Sequence, residues 1–191
     1  MRTWLIALTE LGDAAVLMPL TIALLLWLLL MRSPRSAAWW AIAVAGCVGF
    51  TAILKVSFFG CPPFPELRSP SGHTSFSTLV YGAITLVTAT ESRGFQRAIA
   101  IGSGVSLVLA IAASRLLLSA HNTSEIGLGL GIGTAALGVF GQSYLRHRAT
   151  EAWLTLLFVA AGAVVLVLYG GELDGEQVLH KIAGYLLIHC A

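Results

Sequence analysis

Apolar residues fall in six long runs: Ala14–Met31, Ala37–Val56, Thr74–Thr90, Ala98–Leu118, Thr123–Leu145 and Ala152–Gly170. Charged or turn-forming residues bound each run. A hydrocarbon core ~30 Å thick takes about 20 such residues to cross as a helix. A chain in lipid must also satisfy its own backbone hydrogen bonds, so every run is predicted to be helical. Two segments are patterned differently. Glu176–His189 sets Val178, Leu179, Ile182, Ala183, Leu186 and Leu187 on one stripe, as in an amphipathic interfacial helix. Thr3–Leu11 reads as a similar short helix leading into the first run. The first run is too long for a signal peptide and no small-residue cleavage site follows it, so it is expected to remain as a span. The predicted fold is all-α, a polytopic membrane bundle of six transmembrane helices with short amphipathic helices at the termini. No repeat or linker divides it, so residues 1–191 are expected to form a single domain with its motifs between 55 and 125.

Composition agrees. Of 191 residues 57% are hydrophobic and 10% charged, against roughly a quarter charged in soluble domains. That excludes a soluble globule and a disordered chain, and a formal charge of +2 is too small to imply nucleic acid as a partner. Arg32, Arg35, Arg93, Arg97, Arg146 and Arg148 follow the odd-numbered runs. Positive residues favour the cytoplasmic side, so both termini and the loops after the second and fourth runs are expected on the outer face. Trp39 and Trp40, near a run end, read as interfacial anchors.

In so apolar a chain the informative residues are ionisable groups at the ends of runs, which lipid penalises unless they have a task. They gather on one face. Lys55 closes the second run, and the loop GCPPFPELRSPSG leads to His73 at the mouth of the third. Ser114 and Arg115 close the fourth run, and His121 and Glu125 open the fifth. The third and fourth runs form a hairpin, so Ser114 returns to the face that His73 left. His121 and Glu125 are four apart and share a helical face. The carboxylate can fix the tautomer of His121 and leave its other nitrogen a nucleophile. Gly72 admits close backbone approach, and amides at a helix start near Ser71 and Gly72 suit an anion. Lys55 and Arg115 would complete a phosphate cage. The set fits phosphoryl transfer in which one histidine attacks phosphorus and another protonates the leaving oxygen. No second carboxylate accompanies the histidines and the two cations would repel a metal, so no metal or cofactor is expected.

These residues resemble the type 2 phosphatidic acid phosphatase family, which includes lipid phosphatases and vanadium haloperoxidases. Its second motif, PSGH, stands as Pro70-Ser71-Gly72-His73. Its third, Ser-Arg, five residues, His, three residues, Asp, reads Ser114-Arg115, His121 and Glu125, with glutamate for aspartate. Its first, Lys, six residues, Arg-Pro, reads Lys55 and Pro62-Pro63, with proline in place of arginine. The resemblance implies His121 as nucleophile, Glu125 as its orienting carboxylate and His73 as general acid. Lys55, Ser71, Gly72 and Arg115 would hold the phosphate, and Arg68 is the candidate to supply the missing guanidinium. It implies a metal-independent phosphatase in a bacterial-type inner (plasma) membrane, with its site on the periplasmic face. The substrate would be a lipid phosphomonoester or pyrophosphate: phosphatidic acid, phosphatidylglycerol phosphate, polyprenyl pyrophosphate or similar. The same residues would serve a lipid phosphotransferase, and loss of the first-motif arginine would fit a decayed lipid-phosphate-binding protein. A transporter fits less well, since the polar groups gather at one face and not at the midplane.

Three further features are read as structural. Gly127-Leu-Gly-Leu-Gly-Ile-Gly133 follows no strand, so it is expected to serve close helix packing, not a dinucleotide. Asn122-Thr123-Ser124 matches a glycosylation sequon, which at a helix start beside the third motif reads as accidental. Cys47 is expected in the core, and Cys61 and Cys190 share the outer face, which permits a disulfide.

Overall fold

A computed structural model describes residues 2–60, 67, 69–146, 154–170 and 181. Seven helices are present among these residues: α1 Arg2–Glu10, α2 Ala14–Met31, α3 Pro34–Gly60, α4 Gly72–Glu91, α5 Gly94–Leu117, α6 Thr123–Arg146 and α7 Leu154–Leu168. No strand occurs among them. The six apolar runs are thus helical where described, and α1 is the expected short N-terminal helix. The predicted helix at 176–189 lies outside the described residues except for residue 181.

Helix boundaries follow from local chemistry. Asp13 caps α2 by accepting from the Ala15 N–H at 2.8 Å. Pro34 stands first in α3, where its missing N–H costs nothing, and Ser33 Oγ accepts from the Ser36 N–H at 3.1 Å. Ser71 caps α4. The end of α5 is a Schellman turn: Ala120 N–H donates to the Arg115 carbonyl and Ser119 N–H to the Leu116 carbonyl, both at 3.0 Å. Ser119 takes the left-handed conformation, φ 55°, that this turn demands.

Helix α4 sits at the centre, packed on α5, α6, α3 and α2. Four stretches are long and apolar enough to cross a membrane: Thr3–Met31 (running through the turn at 11–13), Pro34–Phe59, Gly94–Leu117 and Thr123–Arg146. The predicted count of six spans therefore rests for α4 and α7 on other grounds. Helix α7 is 15 residues long. Helix α4 is more polar because its neighbours are protein. Thr74, Ser75, Ser77 and Thr78 are buried in it, and Thr78 and Ser77 hydroxyls donate back to the Thr74 carbonyl. Ser75 Oγ pairs with Thr51 Oγ1 of α3 at 3.2 Å.

Small residues let α6 close on α4. A Cβ on Gly129 would stand 2.8 Å from the Ser71 carbonyl oxygen, and one on Gly133 2.4 Å from that of Ser75. Gly127 and Gly131 face open space, so the packing role expected of this run belongs to alternate glycines. Cys47 is buried, as expected, against Ser75.

Trp40 departs from the sequence reading. It is fully buried, donates from Nε1 to the Thr21 carbonyl at 3.0 Å and meets Phe140 edge-on at 5.2 Å. Trp39 remains exposed. Arg32, counted above as a loop charge, is a buried clamp: it pairs with Glu91, donates to Tyr144 Oη and lies over the Tyr144 ring. The clamp ties the α2–α3 turn to the far ends of α4 and α6.

Candidate active site

At the opposite end from this clamp, the ends of α3 and α5 and the beginnings of α4 and α6 converge. Glu125 is the hub. Its Oε2 faces His121 Nδ1 at 2.9 Å and accepts from the Asn122 N–H at 3.2 Å, while Oε1 accepts from the Ser69 N–H at 3.0 Å. Its carbonyl accepts from the Ser71 N–H at 3.2 Å. One residue thereby joins the segment before α4 to the segment before α6. An ionised carboxylate can only accept, so Nδ1 of His121 carries the proton and Nε2 keeps its lone pair.

Asn122 takes part by a route the sequence reading passed over. Its Oδ1 accepts from the Glu125 N–H at 2.9 Å, which with the return bond from Glu125 forms a capping box at the start of α6. The pattern N-x-x-E before an apolar run carries that signal. The same box sets the carboxylate where it meets His121. The Schellman turn sets the other side, with His121 N–H directed at the Arg115 carbonyl. The five residues between Arg115 and His121 are what this turn and cap require.

The His121 imidazole is 7% exposed. Burial lowers its proton affinity below the usual histidine value, the Glu125 bond opposes that shift, and the charges of Lys55 and Arg115 reinforce it. A ring that is neutral near pH 7 suits nucleophilic work. Lys55, on the last turns of α3, is buried, and its Cε would lie 3.7 Å from a Cβ on Gly72. Arg115 Nη1 donates to Thr9 Oγ1 of α1 at 3.1 Å.

Ser71 is fully buried; its hydroxyl accepts from the Thr74 N–H and Thr74 Oγ1. That side chain serves the helix start, and the Gly72 and His73 amides head the positive end of α4. The His73 side chain is 28% exposed, with Nε2 3.5 Å from Asp13 Oδ2. Asp13 was not singled out from sequence, where it reads only as a polar residue before the first run. Arg68, Cys61 and Pro62 lie outside the described residues, as does Cys190, so neither the substitute guanidinium nor the disulfide is placed. No group of three metal-ligating side chains occurs among the described residues.

A family model described as the PAP2 superfamily matches residues 55–149, the stretch from Lys55 through α6. An uncharacterized 22.5 kDa protein in the cps region of Klebsiella pneumoniae is 31% identical over 181 residues, covering 90% of this chain and 86% of that protein. No solved structure matches the chain significantly.

Proposed function

The chain belongs to the PAP2 superfamily, and from that premise we propose that it is a membrane lipid phosphatase working through a phosphohistidine. Phosphatase chemistry on a phosphate ester in a helical membrane fold is what the family supports. The bond between His121 Nδ1 and Glu125 Oε2 at 2.9 Å carries the finer reading, because it leaves Nε2 as a buried nucleophile beside two cations.

In the first step Nε2 attacks phosphorus, the bond from phosphorus to the lipid oxygen breaks, and that oxygen takes a proton from His73. In the second step water attacks the phosphohistidine, the N–P bond breaks, and His73 takes back the proton. Lys55, Arg115 and the α4 amides stabilise charge on the three equatorial oxygens. Lys55 and Arg115 beside His121 disfavour a cation there, which supports metal-independent turnover. The substrate is a lipid phosphomonoester or pyrophosphate, reached from the outer face of the membrane.

The test is phosphate release by detergent-purified protein from phosphatidic acid, phosphatidylglycerol phosphate and polyprenyl pyrophosphate. It is run with chelator, with and without vanadate, beside His121→Ala. Turnover that survives chelator and stops with vanadate or His121→Ala supports the proposal. Phosphate retained in lipid would instead indicate transfer to a hydroxyl, and turnover persisting in His121→Ala would remove the phosphohistidine.

A further inference from the structure

Residues 9–13, the end of α1 and the turn into α2, lie far outside the matched stretch 55–149, yet they close on the site at several points. Arg115 Nη1 donates to Thr9 Oγ1 at 3.1 Å. Tyr81 Oη of α4 donates to the Leu11 carbonyl at 2.7 Å. A Cβ on Gly12 would lie 2.8 Å from Ile111 Cγ2 of α5 and 3.5 Å from His73 Cδ2, so the backbone itself abuts the ring. The turn is held internally by Gly12 N–H to the Thr9 carbonyl at 2.9 Å and Asp13 N–H to the Glu10 carbonyl at 3.0 Å.

Asp13 divides its carboxylate between two tasks. Oδ1 caps α2 on the Ala15 N–H at 2.8 Å, which fixes the side chain's direction, and Oδ2 stands 3.5 Å from His73 Nε2. The Asp13 side chain is 15% exposed, so water competes with this pair only in part. We propose that Asp13 is a positioning residue for His73: it holds the imidazole by one nitrogen and balances the ring's positive charge before proton donation. This rests on the phosphatase reading above. His121 then has Glu125 and His73 has Asp13, each imidazole oriented by a carboxylate on a separate helix start. The N-terminal segment thereby becomes a wall of the site.

Asp13→Asn is the decisive variant, because asparagine caps a helix as well as aspartate does while removing the charge facing His73. Two substrates separate its effect from general damage: dodecyl phosphate, whose alkoxide must be protonated to leave, and p-nitrophenyl phosphate, whose phenolate leaves without a proton. The expected kcat loss on dodecyl phosphate is about tenfold or more, bounded above by the ~10²–10⁴ that a general acid as a whole contributes. KM and the first-turnover burst of p-nitrophenolate, which reports formation of the phosphohistidine before water attacks it, should stay within about twofold. Asp13→Asn should add nothing in a His73→Ala background, and Asp13→Glu should restore part of the lost rate. Equal losses in the first-turnover rates of both substrates, or a further loss on top of His73→Ala, would overturn the role of Asp13. Wild-type protein inert on both substrates would overturn the phosphatase reading itself, and this role with it.

Discussion

Replacing Glu125 by glutamine changes one atom in the hub and leaves its shape intact. The carboxylate receives bonds from His121 Nδ1, the Asn122 N–H and the Ser69 N–H among the described residues. An amide has a single acceptor oxygen. If that oxygen stays on the His121 side, the Ser69 N–H meets an NH₂ group; if it turns, His121 and the Asn122 N–H do. With the side chain 8% exposed, water cannot make good the loss, so one mismatched buried donor costs about 1–3 kcal/mol of stability. The effect on rate is larger. On the proposed mechanism the negative charge that would steady His121 as phosphorylation gives it positive character disappears, and the ring can adopt the wrong tautomer. In the serine-protease triad the same carboxylate-to-amide change costs ~10⁴ in kcat, so we expect a loss of ~10³–10⁴, about 4–5.5 kcal/mol of barrier. Phosphate release from the best lipid of the panel, beside a melting curve of the same preparation, measures both quantities. Glu125→Asp keeps the charge and should retain most activity. Glutamine-variant turnover within about threefold of wild type, in protein that melts normally, would refute the assignment of Glu125 as the orienting group of the nucleophile.

Other consequences are more local. Because burial lowers the proton affinity of His121 below its ordinary 6.5, the neutral ring proposed as the nucleophile persists as pH falls. The acid limb of kcat/KM should therefore have its midpoint below 6.5, and Lys55→Met, which removes a lowering charge, should move it upward. Gly133→Ala forces a Cβ to within 2.4 Å of the Ser75 carbonyl and should cost stability by about 2 kcal/mol or more, whereas Gly131→Ala should be neutral or mildly stabilising; melting in detergent compares them. Ser119→Gly relieves a left-handed conformation costing about 1–2 kcal/mol and should raise the melting temperature. Arg32→Met strips a partner from Glu91 and Tyr144 and should destabilise by about 2–4 kcal/mol, with Glu91→Gln in the same chain recovering part of it.

The sequence by itself determined the helices and the identity of the chemistry. Six apolar runs in a chain with few charges have one backbone solution in lipid, and PSGH with the spaced Ser-Arg, His and Glu marks the chain as a member of the PAP2 superfamily before any packing is known. The spacing of His121 from Glu125 also gave their contact, because four residues bring two side chains to one face within a single turn. Tertiary structure alone decided what each polar residue does when its partner is distant in the chain. Asp13 and His73 are 60 positions apart, and Arg32 and Tyr144 are 112 apart, so no periodicity could pair them. Trp40 looked like an interfacial anchor because a tryptophan near a run end usually is one; whether α6 covers it is settled by where α6 packs. Helix α4 likewise passed as one span among six, although its hydroxyls mark it as the helix that protein surrounds. Apolarity sets which segments enter the membrane, but it is nearly degenerate as to which helix lies against which. Close packing through Gly129 and Gly133 and buried hydrogen bonds break that degeneracy, and only the folded bundle brings their partners together.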